Sequence, residues 1–173
     1  MQVSSDAASK AVPIGLYTPE ERIRRDASPW TLVQGILAPL QFLVFLVSLG
    51  LVLRFLATGE GYVAATVSVV IKTIVLYIIM VTGSIWEKVV FGKYLFARPF
   101  FWEDVFSMLV LALHTGYLVA VATGADVTTQ MTLALAAYAS YVVNATQFVL
   151  KLRAARKQQE AMDAAAALAG AAQ

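Results

Sequence analysis

The chain has 173 residues, of which 60% are hydrophobic and 14% charged, against about 45–50% and about 25% in soluble globular chains. That balance excludes a water-soluble domain, a disordered chain and a coiled coil, while the absence of cysteine excludes disulfides, thiolate metal sites and a cysteine nucleophile. A net charge of +2 is too small to draw nucleic acid to the chain.

Residues 1–28 read as a polar arm, expected to be disordered from Met1 to about Leu16, where Ser, Ala and Lys dominate. A cleavable signal peptide does not fit, because about thirty polar residues precede the first apolar run. Four runs then reach the roughly 20 apolar residues that a helix needs to cross the hydrocarbon core. They extend from Trp30 to Leu56, from Tyr62 to Trp86 with Lys72 near the middle, from about Phe101 to Thr123, and from about Thr128 to Leu150. Strict period-two alternation is absent, so a β-barrel is not expected. Residues 29–151 are therefore expected to form an all-α, integral membrane domain of four transmembrane helices. Residues 152–173 are basic and then Ala-rich, too short to span again, and read as a continuation of the fourth helix.

The basic residues orient these spans, since Lys and Arg stay on the cytoplasmic side. Lys10, Arg22, Arg24 and Arg25 precede span one. Lys88, Lys93 and Arg98 lie between spans two and three, and Lys151, Arg153, Arg156 and Lys157 follow span four. Only Arg54 and Lys72 fall elsewhere, so both termini are expected to be cytoplasmic. Trp30, Trp86 and Trp102 sit where interfacial anchors belong.

An ionisable side chain at the centre of a bilayer costs about 2.5–3.5 kcal/mol on insertion scales, and so points to a site. Near the cytoplasmic ends lie Gln34, Glu87, Glu103, Asp104, Asn144 and Gln147; deeper lie Gln41, Lys72 and His114. Glu87 closes span two where Glu103 and Asp104 open span three, so three carboxyls gather at one mouth. Glu103 and His114 are eleven residues apart, which returns them to one helix face about 16 Å apart. Tyr141, Asn144 and Gln147 form a stripe at steps of three on span four. Each has a structural reading as well. The acids could pair with Lys88 or Arg98 at helix ends, His114 could make one interhelical hydrogen bond, and Lys72 could snorkel outward. The sequence has no Gly-rich phosphate loop and only one histidine, so neither a nucleotide nor a resident metal is expected.

The stretches YTPEERIRRDASPWTLVQGILAPLQF, MVTGSIWEKVVFGKYLFA, FFWEDVFSMLVLALHTGY and YVVNATQFVLKLRAAR resemble the 3-vinyl (2-vinyl) bacteriochlorophyllide hydratase family, from about Tyr17 to Arg156. The resemblance implies a bacterial, multi-pass inner-membrane enzyme of bacteriochlorophyll biosynthesis. Its substrates would be water and a chlorophyllide or bacteriochlorophyllide, with pathway enzymes or a second copy as further partners. It would convert the ring-A vinyl group to a 1-hydroxyethyl group without a cofactor beyond the substrate's own magnesium.

Such a hydration requires a proton on the vinyl CH₂, a cationic centre beside the macrocycle, and water to attack it. A carboxylic acid near a second carboxylate in a partly desolvated site can hold that proton. One of Glu87 and Glu103 is accordingly expected as proton donor, with another of Glu87, Glu103 and Asp104 orienting water. His114 is a candidate general base or axial ligand to the substrate's magnesium. Tyr141, Asn144 and Gln147 are candidates for holding water or ring carbonyls, and Lys72 for the propionate. The competing reading is a non-catalytic tetrapyrrole-binding or pigment-assembly protein, which would need no clustered acids; a proton-coupled transporter fits less well, because no internal repeat is visible.

Overall fold

The computed structural model describes residues 16–171; the disordered arm expected over residues 1 to about 16 lies, except for Leu16, outside them. Helix α1 (Pro19–Ala27) starts at a capping box, in which the Thr18 hydroxyl accepts from the Glu21 amide at 3.2 Å and the Glu21 carboxylate accepts from the Thr18 amide at 2.8 Å. Ser28 closes α1 with its amide and opens α2 (Pro29–Thr58) with its hydroxyl, which accepts from the Trp30 amide at 3.3 Å. The chain then forms α3 (Tyr62–Phe91), a single 3-10 turn (Arg98–Phe100), α4 (Phe101–Ala122) and α5 (Val127–Ala171). Helix α1 falls within the polar arm of the sequence reading, where Thr18, Pro19 and Glu21 were its only signals.

Four of these helices are long and apolar enough to cross a membrane, and no strand occurs among the described residues. At about 1.5 Å per residue the 30-residue α2 and α3 each span about 45 Å. Helix α5 does not stop at the end of its apolar run: it continues to Ala171 and carries Lys151, Arg153, Arg156 and Lys157 with it.

The helices pack chiefly as two antiparallel hairpins, α2 with α3 and α4 with α5. Left-handed glycines make the sharp reversals: Gly59 and Gly61 between α2 and α3, and Gly124 between α4 and α5. Polarity is distributed inside out. Leu43, Val47, Ile71, Val81 and Val119 face outward, whereas Gln41, Ser48, Lys72, Glu87 and His114 are buried. A bundle surrounded by lipid has no reason to hide its leucines and every reason to hide its amides and charges.

The turn after α3 rests on Gly92, at φ +80°, whose amide bonds to the Lys88 carbonyl at 3.0 Å. A Cβ there would meet nothing within 4 Å, so Gly92→Ala should carry only the backbone penalty of the left-handed region, about 1–2 kcal/mol. Denaturant titration in mixed micelles, followed by helical circular dichroism, should show a loss of that size; an unchanged midpoint would remove this account of the turn.

Candidate functional site

Three carboxyls meet where α3 ends and α4 begins. Glu87 lies in the last turns of α3, while Glu103 and Asp104 lie in the first turn of α4. All three are buried. The connecting segment folds back over them so that two consecutive amides point at two of the acids. The Phe96 amide donates to Asp104 Oδ2 at 2.7 Å, and the Ala97 amide donates to Glu87 Oε2 at 3.3 Å. Phe96 is the one non-glycine residue with positive φ, at +59°, among the described residues. That conformation costs an L-residue about 1–2 kcal/mol, and the short bond to Asp104 offsets it.

These two amide bonds hold the Glu87 and Asp104 carboxyls side by side, where a direct hydrogen bond between them is the alternative to like-charge repulsion. Two carboxyl groups can share such a bond only when one of them carries a proton, because an ionised carboxylate is acceptor only. Glu103 has a different partner. Its Oε2 is 2.6 Å from Lys151 Nζ, which also donates to the Pro99 carbonyl and lies 5.0 Å from the Phe100 ring centroid. The helix-end pairings with Lys88 or Arg98 anticipated from the sequence therefore do not form: Lys88 instead bonds the Gly92 carbonyl at 2.9 Å.

Aromatic rings brace this end of the bundle. Tyr17 stacks on Phe91 at 5.8 Å, Trp86 meets Phe100 edge-on at 5.7 Å, and Phe100 stacks on Phe148 at 5.9 Å. Helix α1 is clasped to α3 by Arg24 Nε, which donates to the Val90 carbonyl at 2.9 Å. Arg25 lies 4.6 Å over the Tyr17 ring. Burial nevertheless pushes the Tyr17 phenol above its ordinary pKa, with Arg25 opposing the shift. On the outer side Phe96, Phe101 and Trp102 are exposed and in mutual contact, with centroids 5.8 and 5.5 Å apart.

The deeper polar residues form a second group. Lys72 is fully buried, with Nζ 3.8 Å above the Tyr141 ring, a cation–π contact. His114, also fully buried, holds Nδ1 2.8 Å from the Val110 carbonyl, and its ring lies 6.0 Å from that of Tyr138. Between the two groups Asn144 donates to Ser107 Oγ at 2.9 Å, joining α5 to α4. Gln147 is half-buried one turn closer to the mouth.

The structure thus brings Glu87, Glu103 and Asp104 together at one end and Lys72, His114 and Tyr141 together in the middle, with Asn144 and Gln147 between. Sequence reasoning missed Lys151, Ser107 and the Phe96 and Ala97 amides. Lys151 was counted only for orientation, yet it continues the Tyr141, Asn144, Gln147 stripe by one more turn of α5. Among the described residues no three His, Cys, Asp or Glu side chains are arranged to hold a metal ion.

A family model described as 2-vinyl bacteriochlorophyllide hydratase matches residues 17–154. The chain is 67% identical over 161 residues to a protein of Cereibacter sphaeroides named 2-vinyl bacteriochlorophyllide hydratase, covering 93% of this chain and 99% of that one. It is 70% identical over 149 residues to a Rhodobacter capsulatus protein of the same name, covering 86% and 87% respectively. No solved structure matches.

The Lys151 and Glu103 side chains retain 25% and 9% of their exposure, so the pair is neither a surface bridge nor fully desolvated. Lys151→Met should destabilise the bundle by about 2 kcal/mol, somewhat less than the about 3–5 kcal/mol seen when a fully buried pair loses one partner. Adding Glu103→Gln should restore most of that loss. Unfolding midpoints of the single and double variants in micelles measure both, and equal midpoints in wild type and Lys151→Met would show that the pair stabilises nothing.

Proposed function

The chain belongs to the 2-vinyl bacteriochlorophyllide hydratase family, and we propose that the Glu87 and Asp104 pair is where it adds water to the vinyl group of its bacteriochlorophyllide substrate. The observation that carries this reading is the anchoring of two buried carboxyls by consecutive amides, Phe96 on Asp104 and Ala97 on Glu87, which supports a proton donor held beside a proton acceptor. Asp104 receives the shorter amide bond, 2.7 against 3.3 Å, and is the carboxylate; Glu87 holds the proton. Glu103, ion-paired to Lys151, is a poor donor and serves to hold α5 against the mouth. That narrows the wider expectation in which either glutamate supplied the proton.

Glu87 passes its proton to the terminal CH₂ of the vinyl group. Positive charge develops on the adjacent carbon, where the macrocycle delocalises it. A water held by Asp104 attacks that carbon and releases a proton to Asp104. The proximity of the two acids lets that proton return to Glu87, so one water is consumed and the pair is reset. No electron moves, and the steps call on no cofactor beyond the magnesium carried by the substrate. Exclusion of bulk water strengthens the electrostatics of the pair and protects the cationic centre from competing bases.

The exposed Phe96, Phe101 and Trp102 rings supply an apolar aromatic surface beside the acids, and they support docking of the macrocycle from the bilayer side of the loop. Lys72, His114 and Tyr141 belong to the middle of the bundle, with His114 about 16 Å along α4 from Glu103, and are assigned to water rather than to the propionate or the magnesium. The clustering of basic residues in the arm, the loop before α4 and the end of α5 supports a cytoplasmic mouth and cytoplasmic termini in a bacterial inner membrane.

Glu87→Gln and Asp104→Asn, each as full-length protein in lipid nanodiscs, should lower kcat on chlorophyllide a by about 100-fold or more. Glu103→Gln should be much milder. The conversion is followed by the movement of the vinyl-dependent absorption band, and product formation at the wild-type rate in Glu87→Gln would overturn the assignment.

A further inference from the structure

Several buried polar atoms of α3, α4 and α5 have no hydrogen-bond partner among the described residues. From the mouth inward they include Gln147 Oε1, Asn144 Oδ1, Lys72 Nζ and His114 Nε2, with both amide atoms of Gln41 across the core on α2; Tyr117 OH and Thr66 Oγ1 lie beyond His114 toward the far end. The Gln41, Lys72, His114 and Asn144 side chains are each more than nine-tenths buried. Orphaned amide and ionisable groups in a membrane bundle are costly, and such groups characteristically converge on internal water.

The chemistry of the group selects the occupant. The Val110 carbonyl can only accept, so His114 Nδ1, 2.8 Å away, carries the hydrogen. That leaves Nε2 as a bare acceptor. Lys72 Nζ is a donor, Asn144 Oδ1 and Gln147 Oε1 are acceptors, and Gln41 offers both. An anion would be repelled by the Nε2 lone pair and by the two amide oxygens, and a cation by the Lys72 ammonium. Water donates and accepts, and it alone suits every member of the set.

Spacing makes the set continuous. Gln147, Asn144 and Tyr141 fall on one stripe of α5 and cover about 9 Å of its axis, and Tyr141 is the ring beneath Lys72 Nζ. Ser107, bonded to Asn144, lies one turn of α4 from Glu103 and Asp104 and two turns from His114. The seam therefore starts behind the acid pair.

We propose that a short column of internal water occupies this seam from Gln147 and Asn144 inward to Lys72 and His114, and that it stores the water consumed at Glu87 and Asp104. The second clause rests on the hydratase reading; the first stands on the orphaned atoms alone. The hydration consumes one water per turnover while an apolar macrocycle covers the mouth. A reserve behind the acids supplies that water without opening the site to bulk solvent, and the proton exchange stays within the carboxyl pair.

The column is tested on the unmodified full-length chain in nanodiscs by pulsed X-ray radiolysis in ¹⁸O-water, which generates hydroxyl radicals from bound water and labels the side chains beside it. Tyr141 and His114, after correction for the higher intrinsic reactivity of phenol and imidazole rings toward hydroxyl radical, should take up ¹⁸O severalfold more than the buried Leu76, despite their own burial. Uptake no greater than that of Leu76 would overturn the column. The storage role is read from Asn144→Leu. If that variant loses the Tyr141 and His114 label and its kcat falls severalfold with KM for chlorophyllide a unchanged, the store feeds the reaction. Loss of the label with unchanged kcat overturns the storage role and leaves the column standing. An active Glu87→Gln enzyme would overturn the acid-pair reading without altering the footprint, so the two failures are distinguishable.

Discussion

A bilayer offers no hydrogen-bond partner to a side chain, and the arrangement of this bundle follows from that constraint. Each polar group on a spanning helix has to meet another one inside. Ser48 of α2 bonds Ser68 of α3 at 2.7 Å and Tyr138 of α5 at 2.5 Å. Gln34 of α2 reaches Thr82 of α3 at 2.8 Å, beside Gly83. Bonds of this kind contribute only about 0.6 kcal/mol each on average. Their larger effect is rotational, since each fixes which face of a helix looks inward.

The same constraint shapes the end of the bundle differently. There the partners are main-chain amides of the segment between α3 and α4, and the acids that take them also close the segment down. Two acids and a left-handed residue thus fold one another. The result is a carboxyl pair shielded from water on one side by the helices and on the other by the loop, braced by the aromatic group around Phe100 and by α1 across α3. A hydration that passes through a cationic centre needs a proton donor and an acceptor close together, held rigidly, with solvent kept out. The proposed acid pair, held by two main-chain amides, would supply that arrangement.

The four membrane helices were legible because hydrocarbon thickness demands an apolar run of a definite length, and the runs beginning at Trp30, Tyr62, Phe101 and Thr128 meet it. The gathering of Glu87, Glu103 and Asp104 was legible because helix ends separated by one short loop must lie together. Partner choice was not. Whether Glu103 meets Arg98 or Lys151, 48 residues away, depends on the rotation of α5 about its axis, which a hydropathy pattern leaves free. Likewise the 90-residue separation of Ser48 and Tyr138 has no local sequence signal. Helix α1 was within reach of reading, since Thr18 and Glu21 have the spacing of a capping box, but its nine residues are mostly charged and form no apolar run. The amides of Phe96 and Ala97 could not have been found from residue types at all, because every residue but proline has one.

That last point has an evolutionary side. The groups that position Glu87 and Asp104 belong to the peptide backbone at positions 96 and 97, so the exposed side chain at 96 can change without disturbing the acids, whereas Ala97 is buried and is held by its surroundings. Proline at either position is the exception, because it would delete the donor. Position 96 must in addition tolerate a left-handed turn. Diversity in this loop among homologous chains would accordingly report on what docks against its outer surface, while the shape of its main chain stays fixed by the two carboxyls beneath it.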